Sequence, residues 1–190
     1  MEKWVNLTRK STCTGCTVLE VVDTPLASVS TRFPQMTQSR HQRFGAKWTH
    51  SLAINDGFFD FMAPTLRAAG SAGSGPPVNI SGGDGSKAAF ERIRNQNYQF
   101  ATVAGRLRLH GWQLIDEANR ALSGVEGSGY VAPTHLVTKD NIGTNGGPSN
   151  VYAPDNGYTE VYMKIWVVCP APAVAAFATA VEGEAQGRAT

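Results

Sequence analysis

Short apolar runs alternate with segments of helical periodicity along most of this chain. The runs "TVLEVV", "VNIS", "FATVA" and "THLVT" have the length and composition of buried strands. The stretches between them place apolar residues on one helix face, as Phe58, Phe59, Met62 and Leu66 do in "FFDFMAPTLRAAG". This order predicts an α/β domain in which a mostly parallel open sheet lies between two layers of helices, a three-layer αβα architecture.

The predicted elements follow one another through short connections. We expect strands at residues 17–22, 51–54, 78–81, 100–104 and 134–138, the end of a helix at 1–10, and helices at 28–45, 58–70, 86–96 and 107–124. Gly45 and Gly70 are natural helix stops. Because crossovers between parallel strands are right-handed, the carboxyl ends of these strands meet at one edge, where open α/β sheets bind their ligands.

The bulk composition excludes some classes of function. The chain has 190 residues, 42% of them hydrophobic, which is enough for one domain with a substantial core. A formal charge of +2 with 17% charged residues gives no basic surface of the kind that binds nucleic acid, so nucleic acid is not expected as a partner.

Residues 1–15 contain no apolar block of signal-peptide length. Residues 167–190 begin with an apolar run that is short and interrupted by prolines, so we expect a poorly ordered tail there and no membrane span.

The spacing of Cys13 and Cys16 is that of a C-x-x-C motif. Redox motifs of this type follow a strand and open a helix, whereas this one precedes a predicted strand. A structural zinc site needs four ligands, and no second C-x-x-C or paired histidine is present. We therefore expect either a small disulfide or two free thiols in a turn.

Polar residues follow three of the predicted strands. Asn55 and Asp56 come after one, Asp84 lies in the turn "SGGDGS" after the next, and Gly105 follows the third. An Asn side chain both donates and accepts hydrogen bonds, and an ionised Asp accepts from two hydroxyls at once. The set suits a polyhydroxylated ligand, with Phe58 or the phenylalanine beside it offering an apolar face to a sugar ring.

Each of these residues also has a purely structural interpretation. Asn55 or Asp56 can cap the following helix, and Asp84 can be a turn residue between glycines. Their recurrence at one edge favours a binding role. The four histidines have neither triad nor metal spacing, so we predict no catalytic residue, no metal and no cofactor, and a protein that is not an enzyme.

A nucleotide-binding enzyme is the sharpest alternative. The motif "GGDGS" resembles the "GGDGT" signature of the lipid and NAD kinases, in which a glycine-rich turn brings backbone N–H groups close to phosphates. It does not have P-loop spacing, because Lys87 lacks the preceding glycine and is followed by alanine.

Longer stretches resemble one family. The runs "LAINDGFFDFMAPTLRAAG", "ISGGDGSKAAFERIRNQNYQFATVAGRLRLHGWQLIDEANRAL" and "GYVAPTHLVTKDNI" are similar in content and order to the C-terminal half of type I periplasmic substrate-binding proteins, the sugar-binding components of ABC importers. The resemblance spans residues 1–166 and implies a Rossmann-like or flavodoxin-like lobe. It also implies that Asn55 and Asp84 bind sugar hydroxyls. At the position of a third contact, a Gln or Glu in the family, this chain has Gly105, which leaves room for a larger ligand or a water.

The resemblance also implies a partner surface. Family members carry a signal peptide and an N-terminal lobe, act in the periplasm, deliver solute to a transporter permease and trap it by hinge closure between two lobes. This chain is predicted to provide one lobe, which binds sugar weakly.

The helix near 107–122 normally packs on the other lobe, and its apolar stripe needs to be covered by another surface. The stripe consists of Leu107, Gly111, Leu114, Ile115, Ala118 and Leu122. We expect this helix to fold back or to meet a partner, such as a second copy in a homodimer; a sensory or interaction domain is the third hypothesis.

Overall fold

Strands and helices alternate along the described chain, as the sequence predicts. The computed structural model describes Cys13, residues 15–153 and residues 156–166. The helices are α1 (Val29–Phe44), α2 (Gly57–Ala68), α3 (Lys87–Arg94), α4 (Leu107–Leu122), α5 (Ile142–Asn145) and α6 (Tyr158–Trp166). The strands are β1 (His50–Ala53), β2 (Val78–Ser81), β3 (Ala101–Ala104) and β4 (His135–Thr138). Two short 3-10 turns, Leu26–Ser28 and Gly45–Lys47, flank α1.

The four strands form one open sheet in the order β1-β2-β3-β4. The first three are parallel, and β4 runs antiparallel to β3, so the prediction of an α/β fold with a mostly parallel open sheet is confirmed. Ala104 at the end of β3 pairs with His135 at the start of β4. The carboxyl ends of β1 to β3 and the beginning of β4 therefore share one edge. We call this edge, with Asn55, Asp84, Gly105 and His135, the rim.

The first core cluster joins α1, α2 and the sheet. Helix α1 buries Val29, Phe33 and Thr37, which recur every fourth residue on one face. Helix α2 buries Phe58, Phe59, Met62, Ala63 and Leu66. Trp48 and Tyr98 complete the cluster, and Ala53 of β1 packs against it. Each large apolar side chain buried here contributes about 1.5–3 kcal/mol of transfer free energy.

A second, smaller cluster holds α3 and α5 on the same face of the sheet. It contains Phe90, Ile93, Ala104, Val137 and Ile142. Val137 is opposite Thr102 in the register, and Thr102 pairs through Ser81 with Ala53, so both clusters lie on one side of the sheet.

The opposite face of the sheet is only partly covered by the described chain. Leu52 pairs with Ile80, and Leu136 pairs with Val103, so these side chains point to that other face. Leu52 is 68% exposed and Leu136 is 52% exposed. The second helix layer of the three-layer architecture therefore stays a prediction, although the described sheet and helices are compatible with it.

One predicted strand is absent. Residues 17–22 have apolar, strand-like sequence but lie in an irregular exposed segment, so that prediction is wrong. Glu20 forms ion pairs with Arg40 at 2.7 Å and with Arg43 at 2.9 Å, and these tie the segment to α1. A strand requires a hydrogen-bonded neighbour, and in the described part of the chain none of the four strands pairs with this segment.

Two other predictions lie outside the described residues, namely the helix end at 1–10 and the tail at 167–190. Among the described helices, none combines the length and apolarity needed to cross a bilayer. Cys13 and Cys16 are joined as a disulfide, which is one of the two outcomes expected for this motif.

Candidate functional site

Two of the predicted binding residues meet at the rim. The Asn55 Nδ2 group donates a hydrogen bond to Asp84 Oδ2 at 2.8 Å. The Asn55 Oδ1 atom accepts from the backbone N–H of Gly57 at 2.7 Å, which is the Asx-turn geometry that begins α2. Asn55 is partly exposed and Asp84 is exposed. Asn55 thus both begins α2 and lies at the rim, two roles that the sequence left open. Together Asn55 and Asp84 offer donor and acceptor atoms to solvent.

Asp56 does not face the rim. Its side chain is 1% exposed and accepts hydrogen bonds on both carboxylate oxygens. Oδ2 accepts from the backbone N–H groups of Asp84, Gly85 and Ser86 at 3.0, 2.8 and 3.0 Å. Oδ1 accepts from Ser81 Oγ and from Gln99 Nε2, the latter at 2.7 Å. The placement of Asp56 corrects its prediction as a ligand contact, because this carboxylate holds the turn that carries Asp84.

The glycine-rich turn therefore has an internal anion where a nucleotide-binding turn has a phosphate. Three successive N–H groups, those of Asp84, Gly85 and Ser86, converge on Asp56 Oδ2. Ser86 also caps α3 by accepting from the backbone N–H of Ala89 at 3.1 Å. Since these donors are already used within the protein, they are not available to an external phosphate.

A glycine at position 85 is required by this turn. Gly85 has φ +84°, a conformation that other residues adopt with strain. A Cβ atom there would lie 2.7 Å from the Cβ of Ala104, at the end of β3. The absence of a side chain thus lets the turn approach the neighbouring strand and sets Asp84 beside Gly105.

Gln99, which donates to Asp56, is itself held by Arg92. Gln99 Oε1 accepts from Arg92 Nε at 2.9 Å, and Arg92 also pairs with Asp60 and with the Asp56 carbonyl. Sequence reasoning missed Ser81 and Gln99. The available signal was a serine ending an apolar strand and a glutamine just before the next one, since buried polar residues need partners.

Phe58 is a core residue, contrary to its prediction as a ligand contact. Its side chain is 8% exposed and its ring meets that of Phe33 edge-on, with centroids 5.0 Å apart and planes at 62°. The neighbouring Phe59 is fully buried. Neither ring offers a face to the rim, because α2 needs both to pack against α1 and the sheet.

Gly105 lies at the rim beside Asp84. Its N–H donates to the Asp84 carbonyl at 3.1 Å. A Cβ atom at this position would lie 2.9 Å from Cε1 of His110, so the imidazole of α4 stands over the glycine. His110 thus occupies the space into which a side chain at position 105 would extend.

Arg106 follows directly and has no carboxylate partner in the described part of the chain. Its guanidinium lies 5.4 Å from the ring centroid of Tyr152. The Tyr152 ring in turn stacks on the imidazole of His135, with ring centroids 5.8 Å apart. The buried Nε of Arg106 and the buried Nε2 of His110 have no hydrogen-bond partner among the described residues. Sequence reasoning found neither residue, since a lone arginine or histidine carries no motif.

Helix α4 meets α6 through aromatic rings. Trp112 stacks on Trp166 with ring centroids 4.9 Å apart. Its ring centroid lies 6.4 Å from that of Tyr158 and 6.1 Å from that of Tyr162. Burial, with the Asp116 carboxylate nearby, raises the pKa of Tyr162. This contact gives α4 a partner within the chain, but four of the six residues of its predicted stripe stay exposed. Leu107, Leu114 and Leu122 are 48%, 70% and 50% exposed, and Gly111 is exposed as well.

A groove of about 490 Å³ runs between these two helices. It is lined by Leu107, Arg108, Gly111, Trp112, Ile115, Tyr158, Thr159 and Trp166. It contains neither Asn55 nor Asp84, so the rim and the groove are separate features. Within the described residues no three His, Cys, Asp or Glu side chains are grouped as metal ligands would be.

The irregular segment before α1 contains Glu20, whose pKa is shifted. Partial burial acts to raise the pKa of Glu20, but hydrogen bonds and charges from Arg43 and Arg40 outweigh it and hold the pKa below its usual value. The same residues line a cleft of about 250 Å³ that lies apart from the rim.

No model of a protein family matches the chain, and no curated protein matches it.

Proposed function

We propose that this chain is a non-enzymatic solute-binding lobe for a sugar or similar polyol, of the kind used by ABC importers. The observation that carries the proposal is the hydrogen bond of 2.8 Å between Asn55 and Asp84 at the carboxyl ends of two parallel strands. Open α/β sheets bind ligands at this edge. Because both residues are accessible there, an amide and a carboxylate can receive hydroxyl groups together.

The buried network supports this function. Asp56 supplies the negative charge that fixes the turn, so Asp84 can remain at the surface with its position defined from behind. A preorganised polar group binds with less loss of conformational entropy than a mobile one. A nucleotide-binding enzyme is less favoured, since the turn amides that it would need are bound to Asp56.

The proposal includes a second surface that covers the open apolar residues. Ligand pockets bury most of the ligand surface, and the rim provides one wall only. Leu52 and Leu136 on the sheet and Leu114 on α4 are exposed to an extent that is typical of interfaces. In this proposal they contact another lobe or a second copy of the chain through α4, and the complex acts in the periplasm and delivers solute to a permease. An interaction domain without solute binding is the second candidate, favoured by the same exposed residues.

Calorimetric titration with a panel of neutral sugars tests the proposal. We expect the isolated lobe to bind at least one sugar with a dissociation constant of about 1 mM, equivalent to roughly −4 kcal/mol. The Asp84→Asn variant keeps the shape of the side chain but loses a charged acceptor, and it should weaken binding about tenfold.

Asp140→Asn is the matched control. Asp140 is exposed and follows β4, which is antiparallel, so it lies at the edge of the sheet opposite the rim. This variant should bind like the original protein. Equal binding by both variants, or no binding of any neutral or acidic sugar by the original protein, would contradict the proposal, and a partner captured without any sugar would favour the interaction domain.

A further inference from the structure

The third strand end of the rim differs chemically from the other two. Asn55 and Asp84 expose an amide and a carboxylate, which suit hydroxyl groups. Arg106 and His110 lie at the end of β3, where the chain enters α4, and both present ring or guanidinium nitrogens. A guanidinium is always charged and donates five N–H groups but accepts none.

Both side chains lack the partners that such groups normally have. Arg106 makes no ion pair in the described part of the chain, and its buried Nε has no hydrogen-bond acceptor there. The buried Nε2 of His110 is likewise unpaired in the residues described. A buried polar group without a partner is costly, and such groups in native proteins commonly mark a missing ligand, ion or water.

The surroundings fix these two residues near the rim. Gly105 N–H is bonded to the Asp84 carbonyl, which places the start of α4 next to Asp84. The Tyr152 ring lies under the Arg106 guanidinium at 5.4 Å. Arg106 and His110 are four residues apart, with the His110 N–H bonded to the Arg106 carbonyl at 2.9 Å, so they are neighbours on one side of the first turn.

Resting on the proposed function, we infer that Arg106 and His110 form a subsite for an acidic group, and that the solute is a sugar acid. Its hydroxyls face Asn55 and Asp84, while its carboxylate receives hydrogen bonds from the guanidinium of Arg106 and the imidazole of His110. Arg106 supplies the positive charge that an anionic solute needs. The planar donors of an arginine match the two oxygens of a carboxylate.

The test compares glucuronate with glucuronamide, which has the same ring hydroxyls but no charge, by calorimetric titration. We expect glucuronate to bind about tenfold more tightly, since hydrogen bonds to charged groups are the stronger ones. Arg106→Gln should remove this preference, because it should weaken glucuronate binding about tenfold and glucuronamide binding much less. Arg108→Gln is the control, because Arg108 is exposed on the same helix and lines the separate groove.

His110 has its own readout. His110→Phe keeps a ring over Gly105 but removes both nitrogens, and it should weaken glucuronate binding more than glucuronamide binding. In the original protein, the ¹⁵N resonance of Nε2 should shift when glucuronate is added, since that nitrogen acquires a partner.

The outcomes separate this inference from the proposed function. If Asp84→Asn weakens binding of both compounds, while the two compounds bind equally and Arg106→Gln changes neither, the acid subsite is overturned and the solute-binding lobe stands. If neither compound nor any neutral sugar binds, the proposed function fails and the inference fails with it.

Discussion

Replacing Asp56 is the perturbation that the structure constrains most tightly. The side chain is 1% exposed, and its two oxygens accept five hydrogen bonds, from Ser81, Gln99 and the three backbone N–H groups of the glycine-rich turn. Asp56→Ala removes every acceptor at once. The turn then has three converging N–H groups with no partner, and the Ser81 hydroxyl loses its acceptor, although its oxygen still accepts from Gln99 Nε2.

The expected loss follows from counting the donors that cannot reach water. The N–H of Gly85 and the hydroxyl of Ser81 lie in buried surroundings, whereas the N–H groups of Asp84 and Ser86 are only partly buried. The Gln99 amide keeps Ser81 Oγ and the Ala101 carbonyl as acceptors. Each buried donor left without an acceptor costs about 1–3 kcal/mol, so Asp56→Ala should lower the free energy of unfolding by about 4 kcal/mol. Asp56→Asn keeps one oxygen for the turn but puts an NH₂ group where Oδ1 accepts from Ser81 and Gln99, so its loss should be about 2 kcal/mol.

Urea unfolding followed by circular dichroism measures both values, and a thermal melt should show a drop of about 10 °C for Asp56→Ala. Asp60→Ala is the control, because the Asp60 side chain is 46% exposed and Arg92, which is 11% exposed, keeps its bonds to Gln99 and to the Asp56 carbonyl, so the loss should be about 1 kcal/mol. If Asp56→Ala costs no more than Asp60→Ala, the turn is not held by this carboxylate and the reasoning is wrong.

Three further changes test other parts of the molecule. Gly85→Ala should destabilise by about 2 kcal/mol in the same unfolding assay, because position 85 has φ +84° and the added Cβ would approach that of Ala104; an unchanged midpoint would refute the close approach. Glu20→Gln should reduce the loss of stability at acid pH. Because the pKa of Glu20 is lowered in the folded protein, its stabilising effect is present above about pH 4.5 and is lost as the pH falls through that lowered value. Identical plots of unfolding free energy against pH from 3 to 7 for the two proteins would contradict this. Trp112→Ala removes the ring stacked on Trp166 at 4.9 Å and should speed hydrogen exchange throughout α6, while exchange in α2 should not change.

The sequence predicts the regular elements well because their signals are local. Helix α4 begins and ends near the predicted limits, since apolar spacing and the following glycine mark both, and β2 matches its predicted residues. The rim was also predictable. Parallel strands with right-handed crossovers must bring Asn55 and Asp84 to one edge, and the structure joins them directly.

The roles of individual side chains were less accessible. Asn55 and Asp56 are adjacent polar residues after the same strand, and which one turns inward depends on the register of β1 against β2 and on the turn one strand away. The partners of Asp56 come from Ser81, Gln99 and residues 84–86, so their convergence is a property of the tertiary fold. The burial of Phe58 likewise depends on a tertiary contact, because its ring packs against Phe33 of α1.

The missing strand at residues 17–22 has a similar cause. Its sequence has the apolar content of a strand, but pairing depends on a neighbour whose place in the sheet is not encoded locally. Glu20 instead bonds to two arginines of α1. The exposed leucines of the sheet and of α4 follow from the same principle, because apolar periodicity predicts that a face needs cover and says nothing of what covers it.

Nuclear magnetic resonance can show whether Asn55 and Asp84 receive a hydroxylated solute at the rim. Titration with sugars and sugar acids should shift the side-chain NH₂ resonances of Asn55 and the backbone amides of Asp84 and Gly105, all saturating together at one dissociation constant. Shifts confined to the groove between α4 and α6, or no shift at the rim with any compound, would contradict the account.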